Sequence, residues 1–472
     1  MIHLMWFRTD LRVYDNPALY AACAHGARVV AVFLYADEQW QKHGIAPVKL
    51  NFLQRQLVSL AQDLARLGIP LRVLPVPTYA SAAEQLLALA LSEGAKHIYA
   101  NQEYELNERI RDDQVEQLFK ARNLGVIWSH DQCLLAPGSV LNGEAKFYQN
   151  FSAFRRKWLT VWKSEYSGLT PAPAIREADS ALPGMIDFPF VINPNKHWEK
   201  LWAVGEAQAH LRLMHFIEKK LPGYATCRDF PGEPGSSVIS PYLALGILSV
   251  RQCLQAARSV NMGQIEDGSP GVVSWVNELL WREFYRHLLI GFPRLCRYQP
   301  FKPETDRVPW LAGGSLFDAW CNGRTGFPLV DAGIRQLLRT GWMHNRVRMV
   351  VAMFLTKDLM IDWRLGEKFF MKHLVDGDFA SNNGGWQWSA STGVDAAPYF
   401  RVFNPELQSR RFDPDGKYLR KFIPELSDLD NKSIHNPTVA QREVRGYPQA
   451  IVDHRAAAEM VKGYFKHVAM TS

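Results

Sequence analysis

The fold is decided by RVVAVFLY (28–35), which is followed by LNFLQRQLVSLAQDLARLG (50–68) and then by LRVLPV (71–76). The first and last of these segments are short apolar runs rich in β-branched residues, which is typical of buried strands. The middle segment repeats its apolar residues at helical spacing and ends on a glycine, a residue suited to a helix C-cap. This strand–helix–strand order predicts two neighbouring parallel strands joined by a crossover helix.

The same alternation extends over the first 130 residues. Further strand-like runs are HLMWF (3–7), HIYANQ (97–102) and VIWSH (126–130), and NERIRDDQVEQLFKAR (107–122) reads as a helix. Repeated alternation of this kind predicts an α/β domain at 1–130 with a Rossmann-like parallel sheet. No G-x-G-x-x-G follows the first strand, so no dinucleotide site is expected there.

The composition of the sequence changes after residue 130. Proline-rich and small-residue stretches such as PAPAIREADSALPG (171–184) predict an interdomain linker at 131–204. Almost everything beyond it has helical periodicity, including WVNELLWREFYRHLL (275–289) and WMHNRVRMVVAMFLTKDL (342–359). We therefore expect a helical domain over 205–472.

Composition excludes several classes of protein. The 472-residue chain has a net charge of +7, which mildly favours a polyanionic partner, and its 15 tryptophans leave a few rings available for stacking on a base or planar cofactor. The six cysteines form no C-x-x-C, so reduced thiols are expected. Because the N-terminus has no signal-peptide core and no apolar run approaches the ~18 residues of a membrane span, we expect a cytoplasmic protein, a monomer, with no membrane partner.

The common catalytic templates are missing. The sequence contains no H-E-x-x-H, no G-x-S-x-G and no Walker phosphate loop. Its 14 histidines have no ligand spacing, so no metal site is expected.

One helical face in 275–289 combines a carboxyl with an indole. Glu278 and Trp281 are three residues apart, and Arg282 follows Glu278 by one turn. One interpretation is a surface Glu–Arg pair beside a packed tryptophan; the other is a polar group and a stacking plate for a flat polar ligand.

A second such face lies in GWMHNRVRM (341–349). Asn345 and Met349 are one turn apart, with Arg346 and Arg348 alongside. A solvated helix edge and a ligand-binding face explain this pattern equally well.

The segment LVDGDFASNNGGWQWSAS (374–391) carries the densest set of polar and aromatic residues. A glycine pair allows close approach of a backbone to a ligand, and asparagine can both donate and accept a hydrogen bond. If the segment is helical, Trp386 and Trp388 point about 200° apart. We therefore expect one ring in the protein interior and the other in a cavity.

These motifs together resemble the photolyase/cryptochrome family. The resemblance rests on HLMWFRTDLR, NELLWREFYRHLL, TGWMHNRVRM, DGDFASNNGGWQWSAS and DAAPYFRVFNP, in this order and spacing from residue 3 to about 405. Within the family, the chain is most similar to bacterial class I cyclobutane pyrimidine dimer photolyases. The resemblance implies a light-dependent DNA repair lyase that flips a pyrimidine dimer out of UV-damaged DNA and splits it by electron transfer from reduced FAD.

The resemblance also implies site residues. Those expected to hold FAD are Tyr224, Ser236, Ser237, Val238, Ile239, Ser240, Trp275, Arg348, Asp376, Asp378 and Asn382. Those expected to contact the dimer or the DNA backbone are Arg228, Glu278, Trp281, Asn345, Arg346, Met349, Trp388 and Arg401. Val238 stands where an arginine is familiar in the family.

Two further sets follow from the same resemblance. An electron-transfer chain is expected through Trp386, Trp363 and Trp310, although plain core packing would explain each of them. A 5,10-methenyltetrahydrofolate antenna is expected at His43, Asn107, Glu108, Cys296 and Arg297, the last of which replaces a familiar lysine. A deazaflavin antenna, or none, is the alternative.

Two rival functions have to be weighed. A cryptochrome would sense blue light without repair, but the chain keeps the expected dimer-contacting residues. Repair of (6-4) photoproducts uses a pair of histidines in the pocket, whereas here His344 is followed by Asn345.

Overall fold

The computed structural model describes residues 1–165, 168–174 and 188–470. They form two compact units, each assembled from separate stretches of the chain. The first unit takes in Met1–Tyr148, Ser152–Lys219 and Ser237–Gly291, and the second Gln149–Phe151, Lys220–Ser236 and Phe292–Ser472. Part of the predicted linker, residues 175–187, lies outside the described residues, and the domain boundaries at 130 and 205 stay a prediction.

A five-stranded parallel sheet forms the centre of the first unit, as predicted. Its strands are β1 (Ile2–Phe7), β2 (Arg28–Tyr35), β3 (Leu71–Pro75), β4 (Ala95–Asn101) and β5 (Gly125–Ser129). They lie in the order β3-β2-β1-β4-β5, and every pairing is parallel. The chain therefore starts in the middle of the sheet and builds outward on both sides, which is the Rossmann-like topology.

Helices cover the sheet because β1 and β2 are apolar on both faces. The helices of the first unit are α1 (Pro17–Ala22), α2 (Asp37–Lys42), α3 (Pro47–Arg66), α4 (Ala82–Glu93), α5 (Leu106–Lys120), α6 (Phe151–Glu165), α7 (Lys196–Leu201), α8 (Glu206–Lys219), α10 (Ser240–Ala244), α11 (Val250–Ser259) and α12 (Pro270–Gly291). Phe151, the first residue of α6, is grouped with the second unit.

The second unit is helical in the described residues. Its helices are α9 (Tyr224–Cys227), α13 (Ser315–Cys321), α14 (Pro328–Thr340), α15 (Asn345–Met353), α16 (Trp363–Met371), α17 (Phe379–Ala390), α18 (Pro405–Phe412), α19 (Lys417–Phe422), α20 (Val439–Arg445) and α21 (His454–Met470). A buried apolar cluster from α14 to α17 forms its core. The architecture of α/β sheet plus helical domain is thus confirmed.

A buried ion-pair network ties the loop after β1 to later parts of the first unit. Asp131 accepts hydrogen bonds from Arg12 and from Arg251, the latter at 2.6 Å, and Arg251 also pairs with Asp15 at 2.9 Å. Burial alone would raise the pKa of Asp131, but the two guanidinium groups lower it to about 2. Removing one partner would leave a buried charge uncompensated, so the network holds the unit together as a set.

The helix predicted over 342–359 is shorter than expected. His344 caps the start of α15, and its Nδ1 accepts from the backbone N–H of Arg346 at 3.2 Å. After Met353 the chain forms one π-helical turn, Phe354–Asp358. This turn allows the buried Lys357 to donate to the Oγ of Ser391 at 2.9 Å, so a local polar contact overrides the helical periodicity.

Candidate functional site

Helix α17 carries the densest part of the motif, and its start is set by an acidic cap. Asp378 precedes the helix, and its side chain accepts from the backbone N–H of Ser381 at 2.9 Å. This bond satisfies one of the N–H groups that a helix leaves free at its start. The cap therefore fixes where the following asparagines and tryptophans fall on the helix.

Arg348 and Asp376 form an ion pair close to this helix start. The Nη2 of Arg348 lies 3.0 and 2.8 Å from the two carboxylate oxygens of Asp376, and its Nε donates to the carbonyl of Met343 at 2.8 Å. Asp376 is almost fully buried, whereas a quarter of the Arg348 side chain is exposed. The ion pair thus holds the partly exposed guanidinium of Arg348 in a fixed position next to the buried carboxylate of Asp376.

The two asparagines of α17, Asn382 and Asn383, have different hydrogen-bond partners. The Nδ2 of Asn382 donates to the backbone carbonyl of Glu367 at 3.0 Å, which leaves the Asn382 side-chain carbonyl available as an acceptor. The Nδ2 of Asn383 donates to the Oε1 of Glu367, also at 3.0 Å. The Oδ1 of Asn383 already accepts from the Nε2 of Gln387 at 2.9 Å, so of the two asparagines Asn382 is the one suited to accept a hydrogen bond from a ligand N–H.

Glu367 is a buried carboxyl behind these asparagines. Its Oε2 is buried without a hydrogen-bond partner in the described part of the chain. Burial raises the pKa of Glu367 from 4.5 to about 7, and the hydrogen bond from Asn383 only partly offsets this. A carboxyl with this pKa changes charge near neutral pH.

Replacing Glu367 by glutamine is expected to stabilise the protein at high pH. Below pH 4.5 the carboxyl is protonated in the folded and the unfolded state, whereas above about pH 7 folding has to bury its charge. The gain in unfolding free energy over the wild type should therefore grow between pH 4.5 and 7, by up to about 3 kcal/mol. Denaturant unfolding at pH 5 and pH 8 measures it, with the exposed Glu443→Gln as control; a gain independent of pH would contradict this origin.

The two tryptophans of α17 face different surroundings, as the helical spacing predicted. Trp386 is only 2 % exposed, and its ring lies 4.9 Å from that of Phe370 and 6.1 Å from that of Trp320. Trp388 is partly exposed, and the nearest ring is that of Phe403, at 6.5 Å. One indole is therefore enclosed by protein, and the other is open to a ligand.

The other tryptophans assigned to the electron-transfer chain belong to the same unit. Trp363 is the first residue of α16 and is fully buried, whereas Trp310 is partly exposed and lies 6.0 Å from the ring of Phe465. The indole N–H groups of Trp310, Trp363 and Trp386 are all buried, and the described residues offer none of them an acceptor. Trp363 and Trp386 belong to the same buried apolar cluster, and Trp310 packs against it.

Arg346, at the start of α15, is held by an acidic neighbour. Its Nη2 donates to Asp229 at 2.8 Å, its guanidinium lies 4.5 Å from the ring centre of Phe412, and Asn345 beside it is exposed. Arg228 also approaches Asp229, at 4.0 Å. Two of the three predicted DNA-contacting arginines, Arg228 and Arg346, thus lie against the carboxylate of Asp229. The third, Arg401, is exposed.

Helix α12 of the first unit carries Trp275, predicted to hold FAD, and Glu278 and Trp281, predicted to contact the dimer. Trp275 is buried against Phe216, with ring centres 4.9 Å apart, while Glu278 and Trp281 are partly exposed. The guanidinium of Arg282 donates to the carbonyl of Gln132 at 2.6 Å. Arg282 therefore fastens α12 to the segment after β5.

The serine-rich stretch 236–240 contains a strained residue. Val238 has φ = 52°, a left-handed conformation that is unfavourable for a β-branched side chain. Strain of this kind occurs at binding sites, where the surrounding structure imposes it. It turns the chain directly before α10, where Ser240 is the first residue.

Three of the predicted antenna residues lie in the first unit, and two of them are in contact. The Nε2 of His43 lies 3.1 Å from the Nδ2 of Asn107. Glu108 follows on α5, and burial together with Glu105 and Glu103 raises its pKa to about 8. The other two, Cys296 and Arg297, end a short 3-10 turn in the second unit.

Several residues around α17 escaped the sequence analysis. Trp320 contacts the ring of Trp386, Asp229 binds Arg346, and Glu367 supports both asparagines. Each comes from a different part of the chain, in DAWC, CRDF and WRLGE, and no local pattern marks it.

The described residues contain neither a metal-binding cluster nor a helix that could span a membrane. No group of three or more histidine, cysteine or acidic side chains is arranged to hold a metal ion. No helix in the described ranges has the length and hydropathy needed to cross a membrane.

Comparisons with known proteins agree with this arrangement. Residues 3–176 match the family model described as DNA photolyase, and residues 275–467 match the FAD binding domain of DNA photolyase. The deoxyribodipyrimidine photo-lyase of Salmonella typhimurium is 45% identical over 96% of this chain and 96% of its own.

Two solved structures of photolyase and cryptochrome proteins are similar to this chain over nearly its full length. A bacterial class III photolyase from Agrobacterium tumefaciens has a TM-score of 0.88 and 33% identity, covering 99% of this chain and 98% of its own. A cryptochrome from Synechocystis reaches a TM-score of 0.87 at 29% identity, covering 98% and 99%. Backbone similarity alone therefore does not separate the two functional classes.

Proposed function

Because this chain belongs to the DNA photolyase family, we propose that it is a light-dependent lyase that repairs cyclobutane pyrimidine dimers in DNA. The observation that carries the proposal is 45% identity to a deoxyribodipyrimidine photo-lyase along nearly the full length of both chains. A pyrimidine dimer stacks poorly in the duplex, which lowers the cost of flipping it out for the reaction.

The residues around α17 fit FAD. The free side-chain carbonyl of Asn382 suits a flavin N–H, and the positive edge of Arg348 suits the electron-rich part of the ring system. Tyr224, Asp376 and Asp378 belong to the same set, together with Trp275 and the serine-rich stretch 236–240. When bound, the reduced flavin supplies the excited electron that opens the cyclobutane ring of the dimer.

For the dimer itself we propose two kinds of contact. Glu278 and Asn345 hydrogen-bond the polar edges of the pyrimidines, while Trp281, Met349 and Trp388 provide apolar walls that exclude water. The partial exposure of Trp388 supports this role. Arg401 contacts phosphate most directly because it is exposed, and Arg228 and Arg346 do so after release from Asp229.

Trp386, Trp363 and Trp310 are proposed to carry electrons from the protein surface to the cofactor. Trp363 and Trp386 belong to the buried apolar core of the second unit, and Trp310 packs against that core. Because Trp310 is partly exposed, it is the ring of the three that an external electron donor can reach.

For the antenna we propose 5,10-methenyltetrahydrofolate, bound by His43, Asn107 and Glu108 with Cys296 and Arg297. Burial and the neighbouring carboxylates of Glu105 and Glu103 raise the pKa of Glu108, which favours its protonated form, and this form can donate a hydrogen bond to a pterin ring. Extraction of the bound chromophore and determination of its mass would identify a folate; the mass of a deazaflavin, or no chromophore besides the flavin, would contradict the proposal.

A blue-light receptor without repair activity is the second candidate, since a cryptochrome shares the fold. DNA binding in the dark separates the two. We expect an oligonucleotide with one thymine dimer to bind more tightly than its undamaged form. Glu278→Ala should weaken dimer binding about tenfold, because a hydrogen bond to a charged group contributes about 1.5–3 kcal/mol.

The control for this measurement is Glu443→Ala, on an exposed position of α20. Equal affinity of the wild type for damaged and undamaged DNA would contradict the repair function and favour the receptor. Discrimination that survives Glu278→Ala unchanged would contradict only the role of Glu278.

A further inference from the structure

Gly366, in the middle of α16, lies directly against the ring of Trp386. A Cβ at this position would come within 2.1 Å of the Cη2 of Trp386, 2.4 Å of its Cζ3 and 2.6 Å of a methyl group of Leu355. Carbon atoms that are not bonded to each other do not come this close in folded proteins. The outer edge of the indole therefore occupies the space that any larger side chain would need.

Helical propensity does not explain a glycine here. Glycine inside a helix costs about 0.5–1 kcal/mol relative to alanine. The backbone of Gly366 is not left-handed, so alanine could adopt its conformation without strain. What alanine would lose is the close approach of α16 to the ring of Trp386.

In the sequence, Gly366 lies between two tryptophans of the proposed electron-transfer chain, Trp363 on its own helix α16 and Trp386 on α17. Trp363 and Gly366 are three residues apart on α16 and therefore share one face of that helix. Trp386 cannot move away freely, because Phe370 and Trp320 pack against its ring at 4.9 and 6.1 Å. The missing side chain thus lets the ring of Trp386 lie directly against the helix that carries Trp363.

We propose that Gly366 is a positioning residue for electron transfer from Trp363 to Trp386. The inference rests on the proposed function, in which these rings carry electrons to the cofactor. The rate of electron transfer between two rings falls steeply as the gap between them widens. Because Gly366 has no side chain, α16 and the ring of Trp386 can pack closely, which increases this rate. The change from Gly366 to alanine separates or tilts the rings without removing either of them.

The test compares four variants, Gly366→Ala, Trp386→Phe, the double variant and Gly463→Ala, with the wild type. Gly463 lies in α21, where an added Cβ meets no atom within 4 Å, so it controls for a glycine-to-alanine change in a helix. Three quantities are measured: the initial rate at which blue light reduces the bound flavin, dimer repair after chemical reduction of the flavin, and the thermal midpoint of unfolding.

We expect Gly366→Ala to lower the photoreduction rate severalfold, because electron transfer slows steeply as the gap between the two rings widens. Repair after chemical reduction should stay at the wild-type rate, as should both rates in Gly463→Ala. Gly366→Ala should also lower the thermal midpoint, and this loss should shrink in the Trp386→Phe background, because phenylalanine lacks the outer ring that the new Cβ meets.

The outcomes are distinguishable. If Trp386→Phe is still photoreduced at the wild-type rate, the proposed electron-transfer chain is wrong. If Trp386→Phe blocks photoreduction but Gly366→Ala does not slow it, the inference about Gly366 is overturned. Should Gly366→Ala not fold, Gly366→Ala combined with Leu355→Ala takes its place in the same comparison, because it removes the clash with Leu355 and keeps the ring of Trp386.

Discussion

Replacing Trp386 by phenylalanine is expected to block reduction of the bound flavin by light while leaving dimer repair intact once the flavin has been reduced chemically. Trp386 is buried at the site-facing helix α17, and phenylalanine fills most of its space but is far harder to oxidise. We expect photoreduction to fall about a hundredfold, comparable with the loss of a positioned catalytic group. The absorbance of the oxidised flavin under blue light, with an external thiol present, measures the rate.

Trp320→Phe is the matched control for this change. Trp320 is fully buried and its ring contacts Trp386, but its other ring neighbours are the phenylalanines 317, 369 and 370. Phenylalanine does not relay electrons onward, whereas Trp363 leads to the partly exposed Trp310 in the proposed chain. Photoreduction should therefore survive Trp320→Phe; a block in that variant and none in Trp386→Phe would reassign the route.

The second large effect is expected at Gly246, in the first unit. Its φ is +64°, and a Cβ there would lie 2.0 Å from the carbonyl oxygen of Thr9 and 2.6 Å from the Cα of Asp10. The neighbouring backbone cannot yield easily, because Arg12 donates to the carbonyl of Gly246 at 3.0 Å while it also pairs with Asp131. Gly246→Ala should thus cost about 4–5 kcal/mol of unfolding free energy, which is exceptional for one substitution.

Gly94→Ala separates the two causes of this loss. Gly94 ends α4 with a similar φ of +69°, but an added Cβ meets no atom within 4 Å. Its substitution should therefore cost only the backbone strain, about 1–2 kcal/mol. Thermal and denaturant unfolding compare the two variants; equal losses would show that the contact with the loop after β1 does not matter.

The fold was predictable from the sequence where periodicity and burial agree. β2 and α3 were found within a few residues because an apolar strand and an amphipathic helix have different spacing. The predicted helix over 342–359 was too long, because two polar contacts, the cap by His344 and the bond from Lys357 to Ser391, interrupt a continuous apolar pattern. Such contacts depend on tertiary neighbours that the local sequence does not contain.

The candidate site was predictable only in part for the same reason. The opposite directions of Trp386 and Trp388 follow from helical geometry, and the structure confirms them. The pairing of Arg346 with Asp229 joins positions 117 residues apart. The need for a glycine at 366 likewise depends on a ring 20 residues further along the chain, so neither was visible in a local motif.

The most direct test of the proposed function is dimer repair under light. The purified protein, with its flavin reduced, is incubated with an oligonucleotide that contains one thymine dimer, and intact dimers are counted after blue light and after an equal time in darkness. The account predicts loss of dimers in the light only, with both thymines restored. Equal numbers of dimers in the light and in the dark would contradict it.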